Sequence, residues 1–257
     1  MSALKLGAQL YTVRKYTQTE NDFAETMRKI AAIGYKYAQV SGIGGSISPA
    51  FIKKAADDNN IKVILTHTSP ARIKDETEKV IEEHDIFGCD GIGLGGMFGH
   101  EHTAGGFEKF IEDYSPAIEK IKQSGKVFLY HNHRFEFEKF NGKTGMDILL
   151  ENTDKDGFKL TFDTYWAQAG GIDPAEFMKK HSGRIFATHL KDMTVISDRQ
   201  EMTEVCTGNM NFKRILKVSE KNNIIWHFVE QDEVRIDAFE SMKISFDNLM
   251  ATGMFEK

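Results

Sequence analysis

Cysteine is almost absent from this chain of 257 residues: Cys89 and Cys206 are all it has, and neither belongs to a C-x-x-C pair. That excludes a disulfide framework and suits a reducing compartment, so a cytoplasmic location is expected. Basic charge is not in excess either. The formal net charge is −5 and no Lys/Arg run stands out, which leaves no footprint for a phosphate backbone and argues against nucleic acid as a partner, and with it against an endonuclease. No apolar stretch approaches the roughly 20 residues of a membrane helix, and the first residues pass directly into a patterned apolar segment rather than a charged leader. No membrane partner is expected. Prolines number four, and no Pro/Gly/Ser-rich linker or break in composition divides the chain, so a single domain over residues 1–257 is expected.

What the chain does have is a repeating unit. Eight short β-type runs stand out: Leu6–Thr12, Tyr37–Ser41, Val63–Thr68, Gly91–Leu94, Val127–His133, Leu160–Tyr165, Ile185–Leu190 and Ile224–Glu230. Between them lie segments of helical period, such as Asp22–Ile33, Pro49–Asn59, Lys74–Phe87, Phe107–Gln123, Pro174–His181, Phe212–Asn222 and Ala238–Met250. Pro49 and Pro174 stand where a helix begins, and Gly34, Gly88 and Gly125 stand just past the end of one. Nearly continuous apolar strands alternating with helices eight times predict an α/β fold, a single (β/α)8 TIM barrel whose parallel strands are buried on both faces. The G-x-G within Gly91–Gly96 (GIGLGG) is read as a tight strand end rather than a dinucleotide loop, because the glycine fingerprint of an open doubly wound sheet belongs after the first strand.

Barrels of this kind build their active site at the C-terminal ends of the strands. Here nearly every run finishes in polar residues: Gln9, His67, His131 with His133 and Glu136, Asp163, His189 with Lys191, and Glu230 with Gln231 and Asp232. His227 lies mid-strand and is expected in the core. Asp163, His189 and Glu230 offer two carboxylates and an imidazole from neighbouring strands, a set of hard oxygens and one borderline nitrogen that suits a divalent metal ion (Mn, Mg, Co or Zn). The strand-five ligand is open between His131, His133 and Glu136.

The segments Gly7–Arg14 (GAQLYTVR), His67-Thr68-Ser69, Tyr130–Phe137 (YHNHRFEF), Phe162–Trp166 (FDTYW), His189–Met193 (HLKDM) and Val229–Asp232 (VEQD), taken in order, resemble the sugar phosphate isomerase/epimerases of the xylose isomerase-like TIM-barrel superfamily. The resemblance covers essentially the whole chain. It implies that Asp163, His189 and Glu230 are metal ligands and that the fourth is a Glu closing strand five. This sequence departs there: His131 aligns with that Glu, and the nearest acid, Glu136, is the expected fourth ligand. The YHNH segment is similar to the branch holding inosose dehydratases and lyases that act on 3-keto-glycosides.

The chemistry expected is abstraction of a proton next to a carbonyl of a sugar or keto-sugar, through an enediolate whose charge the metal offsets. Glu230 with His131 or His133 is the expected acid/base pair, and Gln9, His67, Trp166 and Lys191 are the expected contacts to a small-molecule carbohydrate substrate. Isomerisation or epimerisation shares its first step with β-elimination by a lyase or dehydratase, which is the alternative; a non-catalytic sugar-binding barrel is a third reading. The oligomeric state is open between a monomer and a homo-oligomer.

Overall fold

All eight apolar runs become parallel strands: β1 (Lys5–Gln9), β2 (Tyr37–Val40), β3 (Lys62–Thr66), β4 (Gly91–Leu94), β5 (Val127–His131), β6 (Phe158–Asp163), β7 (Ile185–Leu190) and β8 (Trp226–Val229). Each pairs with the next and β8 pairs back onto β1, so in this computed structural model the sheet closes into a barrel. The structure describes residues 3–256; of the expected span 1–257, Met1, Ser2 and Lys257 lie outside the described residues. Around the barrel run α1 (Glu20–Ile33), α2 (Pro49–Asp58), α3 (Pro70–Asp75), α4 (Thr77–Phe87), α5 (Ala104–Gln123), α6 (Gly145–Glu151), α7 (Thr164–Ala169), α8 (Pro174–Lys180), α9 (Phe212–Lys221) and α10 (Ala238–Ala251). Among the described residues no helix is long and apolar enough to cross a membrane.

Six strands stop short of their apolar runs, and β1 and β6 do so for the same reason. The Gln9 side chain accepts the Tyr11 backbone N–H, and a 3-10 segment, Leu10–Tyr16, takes over at once. Likewise the Asp163 carboxylate accepts the Trp166 N–H at 2.8 Å and starts α7, so Thr164 and Tyr165 are helical. In each case a polar side chain satisfies one of the first orphan donors of a helix, a stronger local demand than the apolar pattern. Two hairpins were not expected. Lys139–Phe140 pairs with Lys143–Thr144, and Asp192–Ile196 pairs with Arg199–Thr203 through Ser197 and Asp198, both at positive φ, the conformation that matches strand twist in a two-residue turn.

Side chains alternate across each strand. On β6, Phe158, Leu160 and Phe162 face outward into the large core beneath the helices. Leu65, Leu129, Ala187 and Phe228 face inward and form a separate cluster inside the barrel, with Tyr37, Val127 and Trp226 packed against it. Two residues further along these same inward rows stand His67, His131, His189, Glu230 and Gln39. The polar mouth therefore sits one repeat above an apolar plug. Phe228 fills the centre of that plug because β1 offers glycine opposite it: a Cβ on Gly7 would lie 2.4 Å from the Phe228 ring. Gly7→Ala is expected to destabilise the protein by about 1–3 kcal/mol in urea unfolding, the usual cost of overpacking a filled core. Adding Phe228→Leu should recover part of that loss; full stability of the single variant would show that the ring does not fill this space.

Candidate metal centre

His131, Asp163, His189 and Glu230 each present one ligand atom within 4.8 Å of the others, and all four side chains are buried. Register brings them level, with Asp163 beside His189 and His189 beside Phe228, two residues short of Glu230. The carboxylates crowd the imidazoles: Asp163 Oδ2 is 3.3 Å from His131 Nε2, and Glu230 Oε2 is 2.8 Å from His189 Nδ1. The second pair is close without hydrogen-bond alignment, and both of its atoms are buried without a hydrogen-bond partner. A nitrogen and a carboxylate oxygen meeting at this distance with no hydrogen bond between them is what a cation needs and what a satisfied core avoids. The donor set, two carboxylate oxygens and two imidazole nitrogens, fits Mn, Co or Zn, with fewer all-oxygen contacts than Mg or Ca demands.

The surrounding residues fix these atoms. His189 Nε2 donates to Gln39 Oε1 at 2.6 Å, which leaves Nδ1 as the bare nitrogen. Gln9 Nε2 donates to Glu230 Oε1 at 3.1 Å, and its own oxygen accepts from Tyr11, so both ends of the Gln9 amide are committed to the protein. Asn132 Oδ1 accepts the Asp163 backbone N–H at 2.9 Å. Lys191 is wholly buried, with its ammonium 3.0 Å from Asp163, 3.0 Å from Glu230 and 2.9 Å from Asp232. Burial disfavours its charge, but the carboxylates of Asp163, Glu230 and Asp232 outweigh burial and raise its pKa above the ordinary lysine value. Burial likewise opposes ionisation of Asp163 and Glu230. For Asp163 the Lys191 charge and then the His131 contact overcome it, for Glu230 the adjacent His189 and then Lys191 do, and both carboxyls are held below their usual range.

The structure gathers most of the expected site residues. His67 borders the quartet, its ring 5.3 Å from His131 and 5.5 Å from His189, with Nδ1 3.3 Å from Ser41 Oγ. His133 lies 5.5 Å from Trp166, ring to ring, and burial pushes its pKa down to about 3. Trp166 in turn faces the Lys191 ammonium at 5.7 Å. The glycine run after β4 makes room for two of these imidazoles: a Cβ on Gly95 would lie 3.3 Å from His67, and one on Gly96 would lie 3.0 Å from His133. The run is a strand end, as expected, and its glycines hold rings. His227 is a core residue, bonded to Thr188 and to the Ile224 carbonyl.

Glu136 is not brought into the quartet. The 3-10 turn after β5 folds it onto its own strand, where its carboxyl accepts from Tyr130 OH and from the His133 backbone N–H, each at 2.8 Å. His131 stands at the fourth position instead. Gln39 was overlooked because it is buried inside an apolar run rather than at its end; its place opposite Gln9 in the paired strands was the available signal.

The xylose isomerase-like TIM barrel family matches residues 27–230. The chain belongs to that family. Among solved structures, a sugar phosphate isomerase/epimerase from Parabacteroides distasonis ATCC 8503 shares this barrel with a TM-score of 0.83 at 23% identity, over 100% of this chain and 96% of its own. The D-allulose 3-epimerase from a Methylomonas species gives 0.72 at 11% identity, over 98% of each chain. The probable 3-DHS dehydratase of petrobactin synthesis from Bacillus anthracis gives 0.72 at 12% identity, over 96% of this chain and 99% of its own. At such identities the likeness is one of fold. No curated protein matches the chain.

Two outcomes test the centre of this xylose isomerase-like barrel. Gln39→Leu removes the acceptor that orients His189, and Mn2+ affinity measured by calorimetry should fall about 10–100-fold. Burial raises the Glu136 carboxyl to about 7 from its ordinary 4.5. Its contribution to stability is thus present in full below pH 4.5 and lost as the pH rises through 7. The stability of the parent relative to Glu136→Gln should fall by roughly 3 kcal/mol between pH 4 and pH 8 in urea titrations; a pH-independent difference would contradict a buried, proton-holding carboxyl.

Proposed function

We propose that this barrel is a sugar-modifying enzyme of the isomerase/epimerase type that removes a proton from the carbon next to a carbonyl, with His131, Asp163, His189 and Glu230 holding a divalent cation. The observation that carries the reading is the quartet itself, two ionised carboxylates and two imidazoles buried together at the C-terminal mouth, with His189 Nδ1 and Glu230 Oε2 facing one another without a hydrogen bond. When bound, the cation supplies Lewis acidity that polarises the carbonyl and offsets the negative charge of the deprotonated carbon framework.

The residues of the chain divide the remaining work. Glu230 is ionised, anchored by Gln9 through Oε1 and facing Lys191 and His189 through Oε2, and is the proposed proton acceptor. His131 stands among the ligands, so His133 is the proposed partner of Glu230. Its Nδ1 is unpartnered, burial keeps it neutral, and its backbone is held by Glu136. His67 and Trp166 are the proposed sugar contacts from either side of the mouth, donor to hydroxyl and ring to apolar face. Returning the proton to carbon completes an isomerisation or epimerisation.

A second reading, loss of a β-leaving group after the same deprotonation, is favoured by one observation: strand five brings an imidazole to the quartet where a second opposed carboxylate would serve a symmetrical epimerase. Incubation of the manganese-supplemented protein with free ketoses and with a 3-keto-glycoside in deuterated water separates the two. Deuterium entering a free ketose without bond cleavage is expected, and Glu230→Gln should suppress it at least a thousandfold. Release of an aglycone would transfer the assignment to elimination, and absence of exchange and cleavage with both substrates would remove it.

A further inference from the structure

Lys191 touches the two oxygens of the quartet that a cation needs most. Asp163 Oδ2 is the carboxylate atom facing both His131 and His189, and Glu230 Oε2 is the atom facing His189 Nδ1. The Lys191 ammonium lies 3.0 Å from each of them. A dication bound by this quartet and an ammonium in that position draw on the same lone pairs and repel one another across a buried, low-dielectric space. One of the two has to yield.

The backbone of Lys191 is not free to yield. Thr164 Oγ1 donates to the carbonyls of His189 and Lys191 and also accepts the Lys191 N–H, pinning the end of β7 to the start of α7. The far end of the side chain has one alternative partner. Asp232 Oδ2 accepts from Nζ at 2.9 Å, belongs to no ligand set, and has a side chain 27% exposed, so it can follow the ammonium outward. Trp166 closes another side, its ring 5.7 Å from Nζ.

We propose that Lys191 is a built-in competitor for the metal ion and that Asp232 is the acceptor onto which its ammonium withdraws when a cation binds, the pair together setting the affinity of the centre. The inference rests on the quartet being a cation site. It assigns Lys191 a role in tuning the centre, in place of the direct sugar contact expected from its position after strand seven, and it makes Asp232 a positioning residue that acts through Lys191.

Calorimetric titration of Mn2+ alone into the full chain tests this without any substrate. Lys191→Met should bind Mn2+ at least tenfold more tightly than the parent, and Asp232→Asn about tenfold more weakly. In the Lys191→Met background the Asp232→Asn change should shrink to at most about threefold, because a residue acting through Lys191 loses its lever when Lys191 is gone. Unchanged or weaker binding by Lys191→Met overturns the proposal while leaving the cation site intact, and so does an Asp232→Asn effect of equal size in both backgrounds. No uptake by any of the proteins sinks the proposal and the cation site together. Should Lys191→Met fail to fold, a crystal structure of the parent grown with Mn2+ decides. Nζ beyond hydrogen-bond reach of Asp163 and Glu230 but still on Asp232 is the expected result, and an ammonium still lying between the two carboxylates overturns it.

Discussion

Two carboxylates buried at the top of an apolar plug are the constraint to which the rest of the mouth answers. Asp163 and Glu230 have essentially no solvent to share their charge with, and isolated ions in that position would cost many kcal/mol or give up their charge. The fold keeps them ionised by surrounding them. Lys191 supplies a full positive charge, Gln9 and the Trp166 backbone donate to the oxygens that face away from the centre, and Asn132 and Gln39 fix what lies next to them. Each of these partners arrives on a different strand or strand end, so the charge pair ties strands β1, β2, β5, β6, β7 and β8 into one network.

The imidazoles are managed by space rather than charge. His67 and His133 rest against Gly95 and Gly96, where any side chain would press on their rings. The same economy appears lower in the barrel, where Gly7 and Gly91 leave room for Phe228, Leu65 and Leu129. Glycine in β4 is thus explained by what its neighbours need, and a G-x-G spacing there carries no information about nucleotides.

How much of this was readable beforehand follows from the physics of each residue. The eight strands were legible because parallel strands covered on both faces are written as continuous apolar runs. Asp163, His189 and Glu230 were legible because they interrupt those runs at the end where barrels place their chemistry. Gln39 was not, being a single amide within a run, and its importance depends on a neighbour 150 positions away. The fourth member of the quartet turned on a turn: the three residues Phe135–Phe137 wind into a 3-10 helix that returns Glu136 to Tyr130, and no periodicity in the sequence distinguishes that from a loop reaching over the mouth. Asn141-Gly142 is a strong hairpin signal that lies outside the strand and helix segments read from the pattern, whereas Ser197-Asp198 adopts the same turn without glycine and gives little sign of it.

The glycine cradle also bears on how the mouth of such a barrel can be reshaped. A methyl group at position 93 would run into the Thr66 carbonyl at 2.0 Å, an obstacle made of backbone that no neighbouring mutation can move aside. At position 95 the nearest obstruction is the His67 imidazole at 3.3 Å, a side chain that can itself be exchanged. Positions 67 and 95 are therefore coupled through a contact that an exchange of side chain can relieve. Substitution can rewrite them together, trading an imidazole just past β3 for a side chain just past β4, whereas a side chain at position 93 would require the two strands themselves to part.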